Sequence, residues 1–165
     1  MPPALKGLLQ FEDTAQRLYQ CDGLSWKPWI TDSTGETKCS FGWTLHDGYC
    51  YILISEQKAT WITAARACRE QYHATLVDVF SKGQMQWLWN FSGRKSFWIG
   101  LNDRVHNGRW EWSKGETVNF TYWKRSPPGS TRKGKHCVLA QKRGKWAAKD
   151  CQKGKGHNYV CSKKL

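Results

Sequence analysis

The segment FWIGL at residues 97–101 decides how this chain folds. It places four apolar residues around one glycine and carries no charge, which predicts a short, fully buried strand. The segment WEWSKG at residues 110–115 alternates apolar and polar residues before a glycine, which indicates a strand that runs into a turn. Six cysteines flank the two segments, three on each side: Cys39, Cys50, Cys68, Cys137, Cys151 and Cys161.

Trp-Ile-Gly-Leu followed by Trp-x-Trp-Ser-x-Gly, inside this cysteine frame, resembles the C-type lectin-like domain in its long form. The resemblance runs from about Cys39 to Cys161, roughly three quarters of the chain. It implies an α+β fold in which two helices flank antiparallel sheets, with a long loop and disulfide bridges. We therefore expect an N-terminal appendage and linker at residues 1–38, a remnant of an upstream unit, and a lectin-like domain at residues 39–165.

Seven cysteines in a small, tryptophan-rich chain indicate a disulfide framework and an oxidising compartment. The sequence alone leaves the pairing open. The resemblance implies the bridges Cys39–Cys50, Cys68–Cys161 and Cys137–Cys151. Cys21 lies outside this set, and either a partner upstream or in another molecule, or truncation of a longer chain, would explain it.

The expected extracellular location conflicts with the N-terminus. No stretch of 18 apolar residues predicts a membrane-spanning helix, and residues 1–9 lack an apolar core of signal-peptide length. Either the chain is a fragment or short isoform of a longer secreted protein, or its export signal is unconventional. We favour the first explanation.

Local patterns predict several elements. Residues 8–11 and 16–21 indicate a hairpin in the appendage, and residues 49–54, 76–80 and 138–141 indicate strands. Thr60 is placed to cap one helix, and Ser81 with Gln84 indicates a capping box for a second. The tryptophans of these segments are expected to be core residues rather than ligand contacts: Trp87, Trp89, Trp98 and Trp110.

The formal net charge of +13 is concentrated at one end of the sequence. Residues 124–165 hold 13 of the 26 lysine and arginine residues and a single acidic residue, Asp150. Such a surface attracts polyanions. The alternative is that the lysines only keep a secreted domain soluble.

Sugar-binding members of the family hold calcium at the long loop with Glu-Pro-Asn or Gln-Pro-Asp, a Glu before a loop cysteine, and Trp-Asn-Asp. The resemblance places PPG at residues 127–129, KHC at 135–137 and WAA at 146–148 in these positions. None supplies a carboxylate or amide side chain, whereas calcium needs several oxygen ligands. We therefore expect no calcium at the primary lectin site, no other cofactor, and no calcium-dependent monosaccharide binding.

Nine basic residues replace the calcium ligands as the candidate site. The loop from residue 124 to 135 and the turn from 142 to 149 are expected to lie close together and to bind an acidic partner, either a sulfated glycosaminoglycan or an acidic protein. Nucleic acid fits the charge but not the expected compartment, and no membrane insertion is expected. The predicted polyanion-binding residues are Lys124, Arg125, Arg132, Lys133, Lys135, Lys142, Arg143, Lys145 and Lys149.

Other chemistry receives less support. The histidines fall in separate segments, and none has a Ser, Cys or carboxylate at a spacing that suggests a nucleophile or a metal pair, so no enzyme activity is expected. The Asn-x-Ser/Thr acceptors Asn119 and Asn90 predict glycosylation if the chain is secreted.

A Cys-Asp-Gly-x-x-Trp segment at residues 21–26, ahead of a basic lectin-like module, resembles the carboxyl-terminal end of FRAS-related extracellular matrix proteins. This resemblance implies a calcium-independent, secreted cell-adhesion module of a basement-membrane protein. The alternatives are a calcium-dependent carbohydrate-binding lectin that uses another face, and a receptor-type module that recognises a protein ligand.

Overall fold

The computed structural model describes residues 8–12, 17–21, 25–28, 39–125 and 134–165. The chain divides into two compact units, Met1–Lys38 and Cys39–Leu165. Within the described residues, no helix is long and apolar enough to cross a membrane.

The described part of the first unit is an antiparallel sheet of three strands: β1 (Leu9–Glu12), β2 (Arg17–Cys21) and β3 (Trp26–Pro28). Strands β1 and β2 form the predicted hairpin, in which Leu9 is opposite Gln20. The third strand is not among the predicted elements. Cys21 is buried, and its backbone N–H donates to the Leu8 carbonyl at 3.0 Å.

The described part of the second unit contains two helices and seven strands. In chain order they are β4 (Thr44–His46), β5 (Tyr49–Ala59), α1 (Trp61–Glu70), β6 (Thr75–Leu76), α2 (Lys82–Phe91), β7 (Phe97–Asn102), β8 (Cys137–Gln141), β9 (Lys145–Lys149) and β10 (His157–Lys164). The sheet order is β4-β5-β10-β7-β8-β9, and β6 pairs with β10. Only the β7–β10 pairing is parallel among these strands, so the sheet is mixed rather than purely antiparallel.

Strand β7 is the predicted buried strand, and all six of its residues are buried. Its glycine is required by space. A Cβ atom on Gly100 would lie 2.6 Å from the Asp78 Oδ1 atom and 2.9 Å from the Leu76 carbonyl oxygen. The indole N–H of Trp98 donates to the Ala59 carbonyl at 2.8 Å, which fixes this ring as part of the core.

Both helices begin where the sequence predicts. The Thr60 hydroxyl accepts from the Thr63 backbone N–H at the start of α1. At the start of α2, the Ser81 hydroxyl accepts from the Gln84 N–H at 3.1 Å, and the Gln84 side chain accepts from the N–H of Phe80, one residue earlier than in a capping box.

The segments predicted as strands at residues 76–80 and 110–115 are less regular, and so is the aromatic segment at 117–123. The strand expected at residues 76–80 is limited to Thr75–Leu76, although the Val77 N–H still donates to the Val160 carbonyl at 2.9 Å. Residues 110–115 and 117–123 form only the isolated bridges Asn102–Glu111 and Trp123–Trp146. Their apolar patterns reflect burial of side chains in the core, which does not require continuous strand pairing.

Three disulfides connect the described cysteines of the second unit: Cys39–Cys50, Cys68–Cys161 and Cys137–Cys151. The bridge Cys68–Cys161 ties α1 to β10 across 93 residues. Closing a loop of this length contributes about 4.7 kcal/mol by the chain-entropy estimate.

Candidate functional site

The basic turn at residues 142–144 is held against the core. Lys142, Arg143 and Gly144 all have positive φ, at 26°, 64° and 75°. A Cβ atom on Gly144 would lie 3.2 Å from the Met85 Cγ atom, so the turn packs directly on α2. The two cations therefore stand at a fixed tip of the β8–β9 hairpin, where both side chains are exposed.

Strand β9 carries two further cations along the edge of the sheet. Trp146 is buried, and alternation along the strand places Lys145 and Lys149 on the opposite side from it. At ~3.3 Å per residue, these two lysines are separated by roughly 13 Å along the strand. The Lys145 Nζ atom lies 3.6 Å from the centroid of the Tyr122 ring, which is a cation–π contact.

Residues 122–124 run beside β9. The Trp146 N–H donates to the Tyr122 carbonyl at 2.9 Å, and the Lys124 N–H donates to the Trp146 carbonyl at 3.0 Å. Lys124 and Arg125 are exposed and follow this contact directly. Because this pairing is parallel, they lie toward the Ala147–Ala148 part of β9.

The described members of the predicted site form a stripe along the hairpin rather than one cluster. Lys142 and Arg143 lie at the tip of the hairpin. At its other end, Lys149 pairs with Cys137, and Lys135 precedes Cys137 by two positions in the sequence. We call Lys124, Arg125, Lys135, Lys142, Arg143, Lys145 and Lys149 the basic stripe. The other two predicted residues, Arg132 and Lys133, lie outside the described residues.

Aromatic rings pack against Trp146 of β9, the strand that carries Lys145 and Lys149 of the basic stripe. The Trp146 ring makes edge-to-face contacts with Trp112, Phe120 and Trp123, at centroid distances of 5.8, 5.7 and 5.9 Å. Such contacts stabilise one arrangement of the rings beyond their burial alone. These aromatic residues therefore act as the support of β9.

The three stretches at the positions of the family calcium ligands lie in different parts of the structure. Residues 127–129 lie outside the described residues, and Ala147 and Ala148 are part of β9. The remaining stretch is KHC at residues 135–137. Its histidine, His136, faces a carboxylate, since the Nδ1 atom lies 3.0 Å from Asp103 Oδ1. In the part of the chain that the structure describes, no group of three or more His, Cys, Asp or Glu residues could hold a metal ion.

The Asp103–His136 pair joins two loops. Asp103 is buried, its Oδ2 atom accepts from the Gly108 N–H at 2.8 Å, and its own N–H donates to the His136 carbonyl at 3.0 Å. Sequence reasoning missed this pair because the partners are 33 residues apart and no spacing rule connects them.

A cleft of about 260 Å³ borders His136, and we call it the 104/153 cleft. Its lining residues come from α1, from the loop after β7 and from both flanks of the β8–β9 hairpin: Ile62, Arg104, Gly134, His136, Asp150, Cys151, Gln152 and Lys153. The Asp150 Oδ1 atom accepts from the backbone N–H groups of Gln152 and Lys153, both at 2.9 Å. These two hydrogen bonds hold the pKa of Asp150 below its usual value.

A second hollow surrounds Asp78 and is too small for an organic ligand. Its volume is about 10 Å³, room for about one water molecule. The Asp78 Oδ1 atom is buried and has no hydrogen-bond partner among the described residues. Burial raises the pKa of Asp78 to about 7, while Lys114 opposes and Glu116 adds to this shift.

Comparison with known proteins links this architecture to one family. The lectin C-type domain profile matches residues 57–163. FRAS1-related extracellular matrix protein 1 of Homo sapiens is 57% identical over 163 residues, which is 98% of this chain and 8% of the relative. The secretory phospholipase A2 receptor of Oryctolagus cuniculus is 33% identical over 144 residues, which is 84% of this chain and 9% of the relative.

A solved structure gives the same result for the fold. The cow C-type carbohydrate-recognition domain of CD23, solved in the presence of GlcNAc2Man3 oligosaccharide, matches with a TM-score of 0.70 and 27% identity, over 78% of this chain and 97% of that domain. The predicted fold is thereby confirmed. The chain spans less than a tenth of the length of the two relatives named above, at 8% and 9%.

Proposed function

The chain belongs to the lectin C-type domain family, and we propose that it is a non-enzymatic, calcium-independent extracellular module that binds an acidic partner. The acidic partner is a sulfated glycosaminoglycan or an acidic protein surface. The observation that carries the proposal is the basic stripe on the β8–β9 hairpin. Its cations follow the edge of a sheet whose position is fixed by Trp146 and Met85, so a linear polyanion can contact several of them at once.

Calcium independence is supported by the residues that occupy the hairpin. Ala147 and Ala148 offer only backbone oxygens on β9, and cations lie on either side of them at Lys145 and Lys149. A divalent cation at this edge would meet positive charge and too few oxygen ligands.

The extracellular setting is supported by the three disulfides and by the likeness to an extracellular matrix protein. We infer secretion into the extracellular matrix, and a role in cell adhesion at a basement membrane. The chain covers only 8% of that relative, so the proposed adhesion is that of this module alone and not of the whole relative. The module would adhere by binding its acidic partner.

Glycosylation at Asn119 forms part of the proposal. Asn119 and Thr121 are exposed in an irregular segment, where an oligosaccharide can be attached without disturbing a strand. Asn90 is also exposed, at the end of α2, but its Oδ1 atom accepts from Arg94 Nε at 3.4 Å. A mobility shift on glycosidase treatment of the secreted chain, lost in Asn119→Gln, tests the assignment.

The decisive test is retention of the refolded, disulfide-intact chain on immobilised heparin across a salt gradient, with calcium and with EDTA. We expect elution well above physiological salt in both conditions. The triple variant Lys124→Gln, Lys142→Gln, Arg143→Gln should elute at lower salt, because each lost contact with a sulfate removes part of the counterion release that drives binding to a polyanion.

The matched control also replaces two lysines and one arginine by glutamine, but at the exposed residues Lys82, Arg94 and Lys95, which are not part of the stripe. If the control triple loses retention equally, the stripe has no special role. Retention abolished by EDTA would favour a calcium-dependent lectin, whereas tight, salt-insensitive binding of a protein would favour a receptor-type module.

A further inference from the structure

The 104/153 cleft differs in chemistry from the basic stripe. The described stripe residues are all cationic, whereas the cleft combines two cations with a histidine and a carboxylate around an open volume of about 260 Å³. Small-ligand sites usually enclose roughly 300–1,000 Å³, so this cleft lies just below that range. Its size suits one sugar unit rather than a length of chain.

The guanidinium of Arg104 and the backbone of Lys153 are held in position. The Arg104 guanidinium carbon lies 5.4 Å from the centroid of the Trp61 ring, and the Arg104 N–H donates to Asn102 Oδ1 at 3.4 Å. Lys153 follows Asp150, whose Oδ1 atom accepts from the Lys153 N–H. A sulfate or carboxylate group can be gripped by the guanidinium fork and neutralised by the ammonium.

The other polar groups of the cleft each have one atom already engaged. His136 Nδ1 faces Asp103, which leaves the Nε2 atom for a ligand. Asp150 commits Oδ1 to two backbone N–H groups, which leaves Oδ2 as an acceptor. A carboxylate repels a bare anion but accepts hydrogen bonds from hydroxyl groups. This mixed lining therefore suits a ligand that carries an anionic group beside hydroxyls.

The walls of the cleft are covalently and locally fixed. The Cys137–Cys151 bridge joins its two hairpin flanks, and the Ile62 N–H, in the first turn of α1, donates to the Cys151 carbonyl at 3.3 Å. The Ile62 side chain adds an apolar contact for a sugar ring. A preformed site of this kind avoids the cost of ordering its walls on binding.

We propose that the 104/153 cleft binds one anionic sugar unit, sulfated or uronate-bearing, of an acidic glycan. Arg104 and Lys153 hold the anionic group, and Asp150 and His136 receive the neighbouring hydroxyls. The inference rests on the part of the proposed function that makes the partner acidic, and it deepens that part because it assigns the partner to the glycans rather than to proteins.

The test is an NMR titration of the refolded, disulfide-intact chain with a sulfated, uronate-containing heparin disaccharide. We expect the shifted backbone amides to cluster at Arg104, His136 and residues 150–153. The double variant Arg104→Gln, Lys153→Gln should weaken binding at least about tenfold, because it removes charge-assisted hydrogen bonds. The charge-matched control Arg94→Gln, Lys82→Gln should bind as the unchanged chain does.

A conservative variant guards against misfolding. Arg104→Lys with Lys153→Arg keeps both charges, and we expect it to retain most of the affinity that the glutamine variant loses. Equal affinity of the glutamine variant and the unchanged chain, with native spectra for both, would overturn the proposal.

Two further probes decide the ligand class. Inorganic sulfate at matched ionic strength should bind more weakly than the disaccharide; equal binding would reduce the cleft to a simple anion site and overturn the sugar assignment. An Asp/Glu-rich peptide should not displace the disaccharide, and displacement at similar concentration would reassign the cleft to proteins.

Failure of this inference can be told apart from failure of the proposed function. If heparin retention depends on the stripe while the disaccharide does not bind the cleft, only the cleft assignment fails. If the disaccharide binds the cleft but the chain leaves heparin near physiological salt, the stripe proposal fails and the cleft assignment stands.

Discussion

Asp78 and Asp150 lie in two hollows of the same unit, and these hollows shift the pKa of a carboxyl group in opposite directions. The hollow at Asp78 is about 10 Å³, and burial raises the pKa of that carboxyl to about 7. The cleft at Asp150 is about 260 Å³, and two backbone N–H groups hold the pKa of that carboxyl low. Ionisation of the carboxyl group thus destabilises the fold at Asp78, whereas the fold favours the ionised carboxylate at Asp150.

The difference shows why enclosure alone does not identify a binding site. At Asp78, the Oδ1 atom is enclosed, lacks a hydrogen-bond partner among the described residues, and lies where a Gly100 Cβ atom would clash. At Asp150, one oxygen is satisfied by the backbone and the cleft remains open for a ligand. Four substitutions test the difference between the two hollows.

The largest effect is expected for Gly100→Ala. The new methyl group would meet Asp78 Oδ1 at 2.6 Å and the Leu76 carbonyl at 2.9 Å, so the free energy of unfolding should fall by at least about 3 kcal/mol. Urea denaturation measures the loss. The control is Gly134→Ala, beside Asp150, where the nearest atom is 3.4 Å away and only the φ of +76° opposes alanine, at about 1–2 kcal/mol. Equal losses would show that the two hollows are equally tight.

Asp78→Asn should stabilise the chain at pH 8 by at most about 4 kcal/mol. The pKa of Asp78 is raised in the folded state, so its carboxyl destabilises the fold progressively as pH rises from about 4 to 7. The asparagine variant removes this loss and should match the unchanged chain near pH 4. Denaturation midpoints across this pH range provide the check, and a difference that is constant with pH would contradict the buried titration.

Lys114→Gln should have a smaller effect with the same pH dependence. Lys114 lowers the pKa of Asp78 against the effect of burial, so its removal raises that pKa further. Lys114 is exposed, and we expect a loss below about 1 kcal/mol at pH 8 and none at pH 4. In the Asp78→Asn background the loss should disappear; if it persists, Lys114 acts through another contact.

The smallest effect is expected for Asp150→Asn, with the opposite pH dependence. The pKa of Asp150 is lowered in the folded state, so its contribution is present above pH 4 and disappears as pH falls below that value. The asparagine oxygen still accepts the backbone N–H groups, which limits the loss at pH 7. A thermal melt at pH 7 and at pH 3 measures it, and a larger loss at pH 3 would reverse the assignment.

The sequence predicts the elements that depend on local chemistry. Thr60 and Ser81 mark the helix starts because a hydroxyl beside the first helical turn accepts a backbone N–H wherever the helix packs. The buried character of residues 97–101 follows from their apolar run. The three bridges follow from resemblance to the family, since the spacing of the cysteines alone does not select them.

The cleft could not be predicted in the same way. Arg104 and Lys153 come from loops whose proximity depends on the Cys137–Cys151 bridge and on the contact between Asp103 and His136. Charge counting by sequence segment favoured the stripe and gave no weight to Arg104. The Asp78 hollow did leave a signal, because a lone carboxylate within the apolar run at residues 76–80 indicates a buried charge.

The pairing of β5 with β10 has a mechanical consequence. Tyr49 at the start of β5 lies opposite Lys164 at the end of β10, so tension on the two ends of this unit would peel the strands apart one residue pair at a time. Peeling from the β10 end stops at Cys161, because the bridge to Cys68 transfers the load to α1. While that bridge is oxidised, only Ser162, Lys163 and Lys164 of β10 can separate from β5 before the load reaches α1.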